Sequence, residues 1–533
     1  MRTLLLSNIN MQPLIGFLKP WDMSCGEFNS MLMDLSNPAS PAASDEFARI
    51  LCLYDSDALM GDALYGEGAP EQCNHFLTAI EGFCASHPQK TVIANTFCFG
   101  TGRWLNFADL LHPQSLRAVE LRLNERLVAI ARTHPNLLLL DIESLVRRHG
   151  EDALLADSFW YLGRIRYSNL MFRSLALKLY QIADAYGNRS RKVLIMDLDN
   201  TLWGGIVGES GPNGIELSED GAGRCYRDFQ RAVKGIQRTG VLLAIASKNN
   251  SDDLDEVFRT NSMMVLHRED FACIRANWQP KPENILNIAE TLNLGVDSFV
   301  FIDDSPVERE MVRTALPGVV VPEFPARVEN LPAWFLREIV PAYFGKYTIT
   351  NEDLAKTDQY RMNEERRQLA SSLDLDAFLE TLQIECVVRI NPSDQINRIA
   401  QMTQKTNQFN LTTRRYEVPK IQEFLESPDH AVLLLEYKDR FGSEGSVGLA
   451  ILAFAESRID TFLMSCRVIG RGVEERILAK ACDLFREHGK SRIVGEFIPT
   501  RKNQQVANFY DGHGFSMLSG DADGRKLYER IIA

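Results

Sequence analysis

The sequence predicts an α/β protein built on parallel sheets and followed by an α+β module. Three observations carry this. Short apolar runs alternate with helical patterns over the first three hundred or so residues. In the middle of the chain, three of four such runs lead straight into Asp197, Ser247 and Asp303, as strands do when they deliver side chains to one sheet edge. Beyond residue 383 several strand patterns follow one another with few helices between them.

In order, residues 1–189 form a first block, with strands expected at 4–7, 50–54, 91–94 and 136–141 and a helix over 114–133. Residues 190–325 form a second, with buried strands expected at 193–196, 241–246, 263–266 and 299–302. A mostly helical connector spans 326–382 and includes a charged stretch at 361–368. Residues 383–533 open with a strand at 385–389 and a helix at 394–404, then strands at 431–437, 445–455 and 459–465. A helix at 473–488, a strand at 492–497 and a short helix at 505–510 complete an expected antiparallel module.

A chain of 533 residues exceeds one core, and roughly 100–200 residues per domain suggests about three. Hydrophobic content of 45% and charged content of 24% are those of a globular protein. A net charge of −13 and a pI near 5.4 argue against non-specific nucleic-acid binding, which needs a basic face. No apolar run is long enough to span a bilayer, and the opening Leu4-Leu-Leu6 is too short for a signal-peptide core. The 10 cysteines form no C-x-x-C pair, which suggests reduced thiols in a cytoplasmic protein.

The chemistry concentrates in Asp197-Leu-Asp-Asn-Thr201. Two carboxylates at a strand end are costly unless they bind something, and a hard cation such as Mg²⁺ takes oxygen ligands. Asp303-Asp304, at another strand end, adds more oxygens. With a metal and a lysine nearby, one carboxylate can attack phosphorus, and the second can protonate the leaving oxygen and activate water. Ser247 and Lys281 would neutralise and orient the phosphate. An isolated D-x-D is as often a plain acidic loop; four such elements in successive α/β units are not.

These residues match, in order, the motifs of the haloacid-dehalogenase (HAD) superfamily. Asp197-Leu-Asp-Asn-Thr-Leu-Trp-Gly-Gly205, Ala246-Ser-Lys-Asn249, Asn277-Trp-Gln-Pro-Lys281 and Phe301-Ile-Asp-Asp-Ser-Pro-Val-Glu-Arg309 resemble the FkbH-like subfamily more narrowly, as does Phe159-Trp-Tyr-Leu-Gly-Arg-Ile165. The resemblance implies a HAD-type Rossmannoid core, with Asp197 as nucleophile and Asp199 as general acid/base. It implies metal ligation by Asp197, the backbone carbonyl of Asp199, and Asp303, with Asp304 a ligand or a neighbour of one. Ser247 and Lys281 would bind the phosphoryl group, and Thr201, Lys248 and Asn249 would line the substrate. The short stretch between the first two strands leaves little room for a large cap, so a partner domain or carrier protein would shape the site.

In the last block, Arg467, Gly470 and Gly472 form R-x-x-G-x-G between a strand and a helix. Such glycines let backbone N–H groups approach a pyrophosphate or pantetheine arm, although a tight turn explains them equally well. With Asn503, Tyr510 and Gly514-Phe515 downstream, the segment resembles the end of the N-acetyltransferase (GNAT) fold, which makes those residues pantetheine-binding candidates. Cys466 stands beside Arg467 and is either an activated acyl acceptor or a small buried hydrophobe. The segment Gln404–Tyr416 also resembles FkbH-like proteins and either lines an acyl site or forms a capped loop. The first block resembles an SGNH hydrolase fold without its chemistry. Ser7 lacks the Gly-Asp-Ser turn, and Trp160 stands where Asp157 would need a histidine; a degenerate, non-hydrolytic domain that docks a partner or supports the second block is expected.

The resemblance implies a Mg²⁺ enzyme acting on a phosphorylated three-carbon substrate, 1,3-bisphosphoglycerate. It would remove phosphate and pass the glyceryl unit as a thioester to the phosphopantetheine of an acyl carrier protein, in polyketide or related biosynthesis. A second reading is a phosphatase fused to a CoA-dependent N-acyltransferase that decorates a sugar or surface polysaccharide. A third makes the flanking blocks docking surfaces only. No nucleic-acid or membrane partner is expected.

Overall fold

The computed structural model describes residues 2–60, 69–100, 111–113, 115–187, 189–354, 356–360, 362, 381–440, 442–465, 468–521 and 523–532. The chain divides into two units, Met1–Ala183 with Glu417–Glu423, and Asp184–Tyr416 with Phe424–Ala533.

The first unit holds strands β1 (Arg2–Leu6), β2 (Asp22–Cys25), β3 (Arg49–Cys52), β4 (Thr91–Asn95) and β5 (Leu137–Leu140) in the order β2-β1-β3-β4-β5. Every pair is parallel. The interior strand β4, Thr-Val-Ile-Ala-Asn, is buried at all positions, as a parallel strand covered on both faces must be. Helix Leu116–Thr133 turns Val119, Leu123, Leu127 and Ile130 inward, and the Ser115 hydroxyl caps it by accepting from the Ala118 N–H.

In the second unit, β6 (Val193–Met196), β7 (Leu242–Ser247), β8 (Phe271–Ala276) and β9 (Phe299–Ile302) form a parallel sheet in the order β8-β7-β6-β9. β6, β7 and β9 are buried throughout. Helix Gly221–Gln237 packs Tyr226, Phe229, Val233 and Ile236 against this sheet's core. The strand expected at 263–266 is not there; β8 comes later. Met264 and Leu266 are buried as expected. However, the N–H groups of Val265 and Leu266 donate to Gln230 Oε1 at 2.9 and 3.2 Å rather than to a strand. A side-chain amide from the neighbouring helix thus completes a turn whose apolar content imitates a strand.

The connector is helical where described: Leu331–Trp334 continues into Phe335–Phe344, wound wider as a π-helix around Pro341. Residues 363–380, with most of the charged stretch, lie outside the described residues.

The last sheet comprises β10 (Glu385–Ile390), β11 (Phe409–Asn410), β12 (His430–Asp439), β13 (Gly442–Ala453), β14 (Arg458–Met464), β15 (Arg492–Phe497), β16 (Ser516–Gly520) and β17 (Lys526–Ile531). Its order is β10-β12-β13-β14-β15-β17-β16, with β11 beside β14. The expectation of a wholly antiparallel module is corrected at one place: β14 and β15 run parallel and pair only at Arg458–Val494. Helix Glu474–Glu487 joins them, and a crossover helix returns the chain in the same direction. That helix buries Ile477, Leu478, Ala481 and Phe485. No described helix is long and apolar enough to cross a membrane, and the described cysteines are free thiols.

Candidate active site

The second unit's parallel sheet gathers the predicted residues at one edge. Asp197 follows β6, Ser247 ends β7, and Asp303 follows β9. Lys281 opens helix Lys281–Leu292. The Asp197 N–H donates to the Ile302 carbonyl at 3.0 Å, so the ends of the two adjacent strands are laced together. Helix Pro306–Ala315 starts immediately beyond, with Pro306 in its first turn and the Ser305 hydroxyl accepting from the Glu308 N–H.

Lys281 Nζ lies 3.0 Å from Asp197 Oδ1 and also donates to Asp303 Oδ2. All three side chains are almost wholly buried. Burial lowers the pKa of the lysine, but the charges of Asp197 and Asp303 outweigh it and raise the pKa above the ordinary value. Asp303 is pushed up to about 6 by burial and by Asp197. Asp304 is raised by the same two causes. One ammonium therefore faces three carboxylates.

One oxygen each of Asp197, Asp303 and Asp304 lies within 4.8 Å of the others. An all-oxygen set with surplus negative charge fits a hard divalent cation, and Mg²⁺ is the one that accepts few protein ligands and keeps its waters. The side chain of Asp199 is not part of this cluster. Its Oδ1 accepts from Trp203 Nε1 at 2.9 Å and from the Val207 N–H at 3.1 Å, and its Oδ2 accepts from Asn249 Nδ2 at 3.0 Å. Asn249 also donates to Ser247 Oγ at 3.0 Å, which ties the second motif to the first. Asn200, between the two aspartates, has φ +55°, a left-handed bend that asparagine tolerates.

The remaining candidates are placed as follows. The buried Thr201 hydroxyl accepts from the Asp304 N–H at 3.2 Å. Lys248 Nζ meets Glu308 at 2.6 Å. Cys466 and Arg467 lie outside the described residues. Gly470 and Gly472 have φ +80° and +68°, both in the left-handed region of a tight turn. The Asn503 amide donates to the carbonyls of Asn410 and Ile498 and accepts from Thr500, so it is spent on holding its own loop. Tyr510 is buried beneath Gly495 and against Phe515 and Tyr528.

In the first unit, the Ser7 hydroxyl accepts from the Ile9 N–H, and Asn95 is bound to the Tyr54 backbone at 2.8 and 3.0 Å. Both residues brace the strand ends.

Arg309 escaped the sequence reading. Its Nη1 donates to the carbonyls of Asp303 and Asp304 at 2.9 and 2.7 Å, and Nη2 to Glu323 at 3.1 Å. It fixes the turn that carries both carboxylates. The available signal was its place one helical turn after Ser305-Pro306, pointing back at the turn.

No described protein family and no curated protein matches the chain. Among solved structures, the chain is similar to the N-terminal part of the protein BF1531 from Bacteroides fragilis, described as containing a phosphatase domain complexed with Mg. The identity is 27% and the TM-score 0.59, over 63% of this chain and 93% of that one. It also matches nourseothricin acetyltransferase at 14% identity and TM-score 0.20, over 28% of this chain and 99% of that one. The ribosomal-protein-S18-alanine N-acetyltransferase from Escherichia coli matches at 11% and 0.22, over 28% and 95%. The first likeness, together with the carboxylate–lysine edge of the parallel sheet, fits a phosphatase region of the haloacid-dehalogenase kind.

Proposed function

We propose that the chain is a Mg²⁺-dependent phosphoryl-transfer enzyme whose last module transfers an acyl group. The observation that carries the first half is the buried contact of Lys281 with Asp197 and Asp303, with Asp304 beside them. Asp197, Asp303 and Asp304 would hold the cation, which neutralises phosphoryl oxygens. An Asp197 oxygen attacks phosphorus, and the bond to the substrate oxygen breaks. Asp199, oriented by Trp203 and Asn249, gives its proton to that oxygen. It then takes a proton from the water that releases phosphate from Asp197. Ser247 donates a hydrogen bond to the phosphoryl group, and Lys281 balances its charge.

The acyl-transfer half is supported by the order of the last module: β14, the turn with Gly470 and Gly472 at positive φ, then helix Glu474–Glu487, whose first N–H groups could meet a pantetheine phosphate. β14 and β15 share one ladder pair and then part, and the segment through β11 fills the opening, with the Leu411 N–H donating to the Phe462 carbonyl at 3.0 Å and the Ile498 N–H to the Leu411 carbonyl at 2.8 Å. In this reading the substrate is a bisphosphoglycerate: the phosphopantetheine thiol of an acyl carrier protein attacks the acyl carbonyl and expels the acyl-linked phosphate, which leaves a thioester, and the Asp197 site hydrolyses the remaining phosphate ester to leave a glyceryl group on the carrier. Purified protein with Mg²⁺, the acyl phosphate and a phosphopantetheinylated carrier should add the mass of a glyceryl group to the carrier in intact mass spectra. Absence of loading where a known homologue loads would overturn it. Acyl-CoA-dependent acylation of an amine, without carrier loading, would replace it with the N-acyltransferase reading.

A further inference from the structure

We propose that the second unit has a second anion site, a cationic cavity that binds a small hydroxylated phosphate ester on the sheet edge opposite Asp197. Lys192 immediately precedes β6 and Ser298 immediately precedes β9. Both line a cavity of about 240 Å³ at the amino ends of the strands whose carboxyl ends carry Asp197 and Asp303. The cavity is closed by helix Ile396–Lys405, the segment through β11, and the end of β14 at Met464. It belongs to neither the carboxylate cluster nor the glycine turn.

Its chemistry is one-sided. Among the described residues, Lys192, Lys356, Arg398, Lys405 and Lys502 line it against the carboxylates of Asp297 and Asp353. Lys502 pairs with Asp297. Asp353 is already shared: its Oδ1 lies 2.8 Å from Lys346 and 3.7 Å from Lys356, and its Oδ2 accepts from Gln401 at 3.0 Å. The cations also oppose one another: burial first, then its lysine neighbours, lowers Lys405 well below the ordinary lysine value. Such a cluster is stable when an anion completes it.

Two further features narrow the ligand. Gln408 lines the same cavity, and its Oε1 is buried without a hydrogen-bond partner, an acceptor suited to a ligand hydroxyl. The volume lies below the roughly 300–1,000 Å³ of pockets for drug-sized ligands, which suits a phosphate on a short polyol better than a nucleotide. The site stands on this cavity alone and does not depend on the reading of Asp197.

The test uses the full chain in EDTA, so that no metal occupies the Asp197 cluster, with inorganic phosphate and glycerol 3-phosphate as probes in calorimetry. Glycerol 3-phosphate should bind at one equivalent and more tightly than phosphate. Lys356→Met and Lys405→Met should each weaken it about tenfold or more, the effect of losing one charge-assisted bond. Gln408→Leu should erase its advantage over phosphate, and Ser247→Ala should leave binding within about twofold. Independently of any variant, the ligand should slow acetic anhydride labelling of Lys356 and Lys405 in the wild type but not of exposed Lys438. Loss of binding in Ser247→Ala, unchanged binding in both lysine variants, or unprotected lysines would overturn the proposal. Equal affinity for the two probes would overturn its polyol part.

Discussion

Asp197 and Asp199 are two residues apart and live in different surroundings. Asp197 meets a buried ammonium and the metal-ligand candidates, whereas Asp199 is held by an indole, a backbone N–H and an amide. That separation predicts separable defects. Asp197→Asn should form no phosphoenzyme and release no phosphate. Asp199→Asn should still trap phosphate on Asp197 but release it about 10²- to 10⁴-fold more slowly, the usual worth of a positioned acid/base. Rapid quench followed by mass spectrometry of the peptide containing residue 197 checks both. At this scale much was legible, because Asp197, Ser247 and Asp303 stand where apolar runs end. Arg309 was not, because its spacing from Ser305-Pro306 places it one turn into a helix without telling that its guanidinium binds the carbonyls of Asp303 and Asp304.

Elements explain where the reading of the chain slipped. β2, β8 and β16 were missed or misplaced, and each is an edge strand of its sheet. An edge strand is covered less and needs fewer apolar residues: β16, Ser-Met-Leu-Ser-Gly, is exposed along its whole length. β17 was missed for a related reason, since only Tyr528 within it is fully buried. Central strands such as β6 and β7 were visible because burial on both faces demands unbroken apolar runs. The turn after β6 carries its own prediction. A Cβ at Gly204 would stand 2.7 Å from Glu216 Oε2 and 2.9 Å from both Glu216 Cβ and Tyr226 Cε2. Gly204→Ala should therefore cost about 1–3 kcal/mol through overpacking. A lowered thermal midpoint, with reduced phosphatase turnover as the neighbouring Trp203–Asp199 bond shifts, would show it.

The stability of the molecule should depend on pH through the cationic cavity. Lys356 is lowered from 10.5 to about 7, by burial first and then by Lys346, with Lys192 and Arg398 adding and Asp353 opposing. Lys346 and Lys405 are lowered too, each by burial first. Between those two pH values the unfolded chain binds more protons than the folded one, so stability rises with pH across that window. The slope is up to about 1.4 kcal/mol per pH unit for each such group. Urea midpoints should climb from about pH 7 towards pH 9.5, and Lys356→Met should flatten the climb; an unchanged slope in that variant would contradict the assignment. Neither the cavity nor its charge could be read in sequence, because its lysines come from residues as far apart as 192 and 502.

One sheet thus carries opposite charge at its two ends: carboxylates beyond β6 and β9, ammonium groups before them. A four-residue strand is about 13 Å long, which exceeds the Debye length of about 8 Å at physiological ionic strength and falls well inside the ~30 Å of 0.01 M salt. In ordinary buffer each pole therefore attracts its own visitor, a cation at one end and an anion at the other, without the other pole's interference. In dilute buffer their fields partly cancel at a distance, and the encounter rates of metal and phosphate become linked through a sheet that neither of them touches.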